Sequence, residues 1–121
     1  MELQKLEYEF TICKIDNVDL VDFTREYVFL SKTPDEISLV CETDYTPADA
    51  IACEHGWRAL KISGVLDFSM VGVIAKISNL LAAAGVSLFV VSTYNTDYVL
   101  LKAESFDKGV GVLLDGGYVV R

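Results

Sequence analysis

Apolar and polar positions alternate from Tyr8 to Ile15, which predicts a strand with Tyr8, Phe10, Ile12 and Lys14 on one face. The polar, acidic stretch Asn17–Thr24 reads as a loop or a short helix. Tyr27–Ser31 is a second short strand. Thr33-Pro34-Asp35-Glu36 reads as a turn, because proline presets one turn dihedral and aspartate favours such positions. Ile37–Cys41 is then a third strand. Thr46-Pro47, with Asp49 in the first turn, has the chemistry of a helix start, and that helix is brief because Gly56 stops it.

The pattern changes after Gly56. Trp57–Val65 alternates again, with Trp57, Ala59 and Lys61 facing one way and Arg58, Leu60 and Ile62 the other. Met70, Val73, Ile77, Leu80 and Ala84, joined by Ile74 and Leu81, follow helical spacing, while Lys76 and Asn79 fall outside the stripe. Ser69 is the expected N-cap and Gly85 the expected terminator, so the longest helix is predicted over Val71–Ala84. The nearly continuous apolar run Val86–Val91 predicts an interior strand buried on both faces. Tyr94-Asn95-Thr96-Asp97 makes a hairpin turn, Tyr98–Ala103 returns, and Ser105 opens a last helix with Phe106, Val110 and Leu113 on one face. Gly116-Gly117 breaks that helix before a final strand, Tyr118–Val120.

The second half is therefore β-α-β-β-α-β, the order of a ferredoxin-like sandwich with its helices on one face of an antiparallel sheet. The first half resembles an abbreviated version of the same unit, in outline rather than residue by residue. The division expected is 1–57 and 58–121, two parts that share one core, and the fold class is α+β.

The chain has 121 residues, 52% hydrophobic, and its net charge is −8. Residues 1–57 hold 4 basic and 13 acidic side chains, a net −9, while residues 58–121 carry +1. An acidic surface repels phosphate backbones, so nucleic acid is not an expected partner. No apolar run approaches the ~18 residues of a membrane span, and no secretory signal is visible at the start. Cys13, Cys41 and Cys53 are odd in number and form no Cys-x-x-Cys, which suits free thiols in a reducing cytoplasm.

Candidate chemistry is sparse. His55 is the single histidine, placed beside an expected helix end, where an imidazole meets the last carbonyls. Cys53 and His55 offer two metal ligands where a zinc site needs about four, or three and a water. Gly109-Val110-Gly111 lacks the spacing and context of a dinucleotide loop. No nucleophile–base pair, metal cluster or cofactor motif emerges, so neither catalytic residues nor a cofactor are expected. Two segments suit binding instead. Leu66–Gly72 joins a strand to a helix start, whose N–H groups attract an anion. Ser92–Asp97 gathers hydroxyls, an amide and a carboxylate, a set that either fixes a small zwitterion or builds a hydrogen-bonded turn.

At these segments the sequence resembles a known family. Gly64-Val65-Leu66-Asp67-Phe68-Ser69-x-x-Gly72 and Ser92-Thr93-Tyr94-Asn95-Thr96-Asp97-Tyr98-Val99-Leu100 are similar to small tandem ACT-domain proteins, in the subgroup related to the ACT repeats of the cytosolic arginine sensor CASTOR. Thr33-x-Asp35-Glu36-Ile37-Ser38-Leu39-Val40 and Glu54-His55-Gly56-Trp57-Arg58 agree, and the resemblance runs from about Thr33 to Val120. It implies tandem ACT-like units, allosteric binding of an amino acid and no catalysis. It places the ligand at Ser69, Val71, Gly72, Thr93, Tyr94, Asn95 and Asp97. ACT-like units bury sheet edges by pairing, so a homodimer is expected. The alternatives are an ACT-fold structural subunit without a ligand and, last, a small enzyme.

Overall fold

The computed structural model describes residues 1–64 and 72–121. The expected cap Ser69, and with it Met70 and Val71, lie outside the described residues. The chain divides into two compact units: residues 1–7 with 58–121, and residues 8–57. Two long strands, β1 (Glu2–Ile15) and β4 (Ala52–Ile62), contribute to both.

The first unit adds α1 (Val73–Ala83), β5 (Leu88–Ser92), β6 (Asp97–Lys102), α2 (Phe106–Asp115) and β7 (Val119–Val120). Its strands run in the order β5–β6–β4–β1–β7. β5 and β6 are antiparallel, with Ser92 opposite Asp97 and Leu88 opposite Leu101. β7 is parallel to the start of β1, which stands between β4 and β7. Ile77 and Leu81 of α1 and Phe106, Val110 and Leu113 of α2 close one core with Leu3, Leu60, Ile62, Val99 and Leu101. Each such side chain contributes about 1.5–3 kcal/mol on burial. The helical stripe read from the sequence is the stripe that packs: Val73, Ile74, Leu80 and Ala84 lie against the same core. The fold is thus the α+β, helix-on-sheet arrangement expected from the order of the elements.

Both helices end the same way. The Val86 N–H reaches the Leu81 carbonyl at 2.9 Å and the Gly85 N–H the Ala82 carbonyl at 3.0 Å, with Gly85 at φ +74. At the end of α2, Tyr118 bonds Leu113 and Gly117 bonds Leu114, both at 3.1 Å, with Gly117 at φ +95. These paired bonds satisfy carbonyls that the helix leaves open, and the left-handed residue between them favours glycine.

Two expectations need correction here. The strand expected as interior, Val86–Val91, is β5, which ends the strand order among the described residues, and its Leu88–Val91 are only half-buried. The interior place belongs to β6, where Val99, Leu100 and Leu101 are buried. An apolar run records residue type, whereas the pairing of β6 with β4 decides which strand is enclosed. Gly72, expected one turn inside the helix, precedes α1 as its N-cap at φ +80. Gly109 lies inside α2, where a Cβ would meet Leu101 Cδ1 at 2.5 Å, so its bareness leaves room for that buried side chain.

The second unit holds the rest of β1, β2 (Val28–Lys32), β3 (Ile37–Glu42) and the start of β4, in the order β2–β3–β1–β4. Short 3-10 turns lie at Val18–Leu20 and Thr43–Tyr45. The helix expected after Thr46-Pro47 does not form. The chain makes one turn, Ala50 N–H to Pro47 carbonyl at 3.2 Å, and enters β4 with Ile51 N–H bonded to the Lys14 carbonyl at 2.8 Å. β4 begins at Ala52, so strand pairing takes the backbone groups that the expected helix would have used. Cys13, Ile15, Leu39 and Cys41 form one core cluster, with Leu20, Val21 and Ala50 of connecting segments and Val28, Leu30 and Ile37 of the strands packed against it, and Phe10 and Val40 are buried as well.

The two units repeat one scheme. Val28, Thr33, Ile37 and Thr43 begin a strand, a turn, a strand and a 3-10 turn in the second unit. Leu88, Thr93, Asp97 and Ala103 begin the same four elements in the first, each about sixty positions later.

Candidate functional site

The described features with binding geometry in the first unit lie where β4 ends, α1 begins and the β5–β6 hairpin turns. Thr96 fixes the hairpin there. It is buried, and its hydroxyl donates to the carbonyl of Ile62, the last residue of β4, at 2.8 Å. The start of β1 reaches the same end, with Ser63 N–H bonded to the Glu2 carbonyl at 3.0 Å. β7 also arrives, since Val119 N–H bonds the Met1 carbonyl at 3.1 Å.

A cavity of about 260 Å³ opens at the start of α1, lined by Met1, Gly72, Val73, Lys76, Gly116, Gly117 and Tyr118. It is smaller than the ~300–1,000 Å³ of pockets for drug-sized ligands, and so suits a small metabolite. Gly72 and Val73 open the first turn of a helix of 11 residues, where backbone N–H groups have no partner inside the helix. The Gly72 carbonyl accepts from Lys76 N–H at 3.0 Å, which puts Lys76 one turn on. Its ammonium lies 5.4 Å from the centre of the Tyr118 ring. Burial raises the Tyr118 hydroxyl above its ordinary value, so the ring meets the cavity as a neutral phenol. A helix start, a positive dipole end and an ammonium together form a place for a carboxylate.

Of the residues singled out in the sequence, Gly72 lines this cavity, and Ser69 and Val71 lie outside the described residues. Thr93, Tyr94, Asn95 and Asp97 stand on the hairpin and are not among the residues lining it. Thr93 is engaged by the turn: its N–H and its hydroxyl both donate to the Thr96 carbonyl, at 2.9 and 3.0 Å. Tyr94 is 81% exposed at the tip. Asp97 opens β6 opposite Ser92. Sequence reasoning passed over Lys76 and Tyr118. The signal for Lys76 was its place outside the apolar stripe of α1, four residues after Gly72.

His55 is not beside a helix end, since no helix forms there. It stands on β4, with Nδ1 2.9 Å from the Thr11 hydroxyl, which is itself 2.9 Å from that of Thr43. Cys53 lies 3.6 Å from Cys13, sulfur to sulfur. Burial foremost raises the thiols of Cys13 and Cys41 above their ordinary value. Among the described residues no three His, Cys, Asp or Glu side chains are grouped to hold a metal ion. Among the same residues no helix is long and apolar enough to cross a membrane.

Comparison with known proteins gives a family. No curated protein sequence matches the chain. A protein from Agobacterium tumefaciens of solved structure is 26% identical, covers 99% of this chain and 91% of its own, and superposes with a TM-score of 0.88. A Vibrio cholerae protein, described as a possible transport protein, is 16% identical over 92% of this chain and 85% of its own, with a TM-score of 0.73. The regulatory subunit of aspartate kinase from Thermus thermophilus, in a ligand-free form, is 12% identical over 93% of this chain and 95% of its own, with a TM-score of 0.63. The last two likenesses speak for the fold alone. The ACT domain family model matches residues 52–115, more than half of the sequence. The chain belongs to the ACT domain family.

Proposed function

We propose that this protein is a regulatory module that binds a free amino acid in its first unit and carries out no catalysis. The observation that carries this reading is the cavity at Gly72, Val73, Lys76 and Tyr118, where a helix start and an ammonium converge on one small space. The family supports the ligand class, and the shared fold of an aspartate kinase regulatory subunit supports the regulatory role. The ligand's carboxylate sits on the helix start, with Ser69, Val71 and Gly72 around it and Lys76 alongside. Its ammonium is met by Asp97, with Thr93, Tyr94 and Asn95 completing the site from the hairpin. Arginine, the ligand of the resembling sensor, heads the ligands to test. The protein works in the cytoplasm as a homodimer, and β5 is the edge through which it pairs, because it ends the strand order among the described residues and its four half-buried apolar residues invite a partner.

A panel of amino acids read by thermal denaturation tests this. A ligand at 100 times its dissociation constant stabilises by about 2.7 kcal/mol. Lys76→Gln and Asp97→Asn each remove one charge-assisted contact of about 1.5–3 kcal/mol, so each weakens binding by roughly one to two orders of magnitude. The absence of any stabilising amino acid, or full binding by both variants, removes the reading. One observation favours the alternative of a structural subunit. The hydroxyl of Thr93 is engaged by its own turn, as expected of a hairpin that serves only shape.

A further inference from the structure

The second unit contains a cleft that the amino-acid site above does not use. It is lined by Tyr8 and Glu9 from β1, Arg25 from the segment before β2, Glu42 at the end of β3, and Thr43, Asp44 and Tyr45 from the 3-10 turn that follows. Its volume is about 260 Å³. At its floor lies Glu42, only 3% exposed, which accepts from Arg25 Nη2 at 3.3 Å and Nε at 3.4 Å on one oxygen, and from the Tyr27 N–H at 3.2 Å on the other. The Arg25 guanidinium also lies over the Tyr45 ring, 4.0 Å from its centre.

These contacts orient Arg25 without using it up. A carboxylate on the Nε–Nη2 edge and a ring under the plane leave the edge that carries Nη1. The side chain keeps 33% of its surface exposed. Glu42 cancels the charge of Arg25, so the formal charge left in the lining of the cleft is that of Glu9 and Asp44, with the Glu26 carboxylate beyond them accepting from the Tyr8 hydroxyl at 3.1 Å. A simple anion meets one guanidinium edge and two repelling carboxylates. A simple cation meets the carboxylates and is repelled by the guanidinium. A molecule with both charges places its carboxylate on Arg25 and its ammonium toward Glu9 and Asp44, with the rings of Tyr8 and Tyr45 as the apolar walls.

We propose that this cleft is a second small-molecule site, selective for a free α-amino acid in its zwitterionic form. The inference rests on the charge layout of the second unit and stands whether or not the cavity at α1 binds anything. Backbone amide NMR of the whole chain, titrated with each of the twenty amino acids and with acetate and methylammonium as half-ligands, tests it. At least one amino acid is expected to shift the amides of Arg25, Thr43, Asp44 and Tyr45 saturably at millimolar concentration, while neither half-ligand saturates. Asp44→Asn and Glu9→Gln are surface changes that spare the Arg25–Glu42 pair, and each is expected to weaken binding by about tenfold. Arg25→Lys keeps a positive charge beside buried Glu42 but loses the planar edge, and is expected to cost at least as much. Shifts confined to Gly72, Val73 and Lys76 support the first site and overturn this one. Equal affinity in Asp44→Asn and Glu9→Gln, or acetate binding as tightly as any amino acid, also overturns it.

Discussion

Gly109 is held bare by its neighbour, not by its backbone, which lies within α2. A methyl group there would stand 2.5 Å from Leu101 Cδ1, so the fully buried Leu101 side chain must move within a packed core to admit it. Overpacking of this kind costs about 1–3 kcal/mol, so Gly109→Ala is expected to lower the urea midpoint despite raising helix propensity. The cysteines differ by burial. Cys53 is exposed whereas Cys13 and Cys41 are buried, with thiol pKa values raised by that burial. Iodoacetamide on the native protein near neutral pH is expected to label Cys53 well before the others, with all three labelled in urea, as mass spectrometry can follow. The same shifts carry a pH dependence. The two buried thiols keep their protons in the native state at a pH where the unfolded chain, titrating near 9.0, has lost them. Their stabilisation is complete below that value and fades as the pH rises through the raised native pKa values, so urea midpoints are expected to hold at neutral pH and fall in alkali. The opposite slope rules out these thiols as the cause.

The elements divide by how their positions are set. α1 and α2 were legible because a helix advertises its buried face at fixed spacing, and both end on glycines that take φ near +74 and +95. Gly85→Ala must place a Cβ in the left-handed region and is expected to cost about 1 kcal/mol by urea denaturation. The strand alternations of β1, β3 and β4 were legible too, but not their reach, since β1 starts at Glu2 and β4 at Ala52. Which strand is interior was not legible. Val86–Val91 is the more apolar run, yet β6 is enclosed because Thr96 docks the hairpin on Ile62. Thr96→Val is nearly isosteric and leaves the Ile62 carbonyl without that donor, so a loss of about 1–3 kcal/mol and faster amide exchange in the hairpin are expected. The cavity at α1 was half legible: Gly72 announced itself by type, but Lys76 and Tyr118 meet only through the fold. The Arg25–Glu42–Tyr45 cleft gave no signal, because its members are seventeen and three residues apart and obey no periodicity.

For the molecule as a whole, assembly is the first measurable property. If β5 is the pairing edge, sedimentation at micromolar concentration is expected to find a dimer, and a lysine in place of Val90 a monomer that keeps its circular dichroism; a wild-type monomer sinks the idea. The two units also differ in what closes their cores. Two helices seal the first, where 12 buried residues among those described form one cluster. In the second, the cluster of Cys13, Ile15, Leu39 and Cys41 has Leu20, Val21 and Ala50, side chains carried by connecting segments, packed against it. A lid made of loop yields before one made of helix, because fewer contacts must break to lift it. The second unit should therefore visit an open form while the first stays closed, and hydrogen exchange should record two free energies, the lower in β2 and β3. A cell's proteases encounter that open form, so the lifetime of the protein would depend on the side chains that connecting segments lay over this cluster.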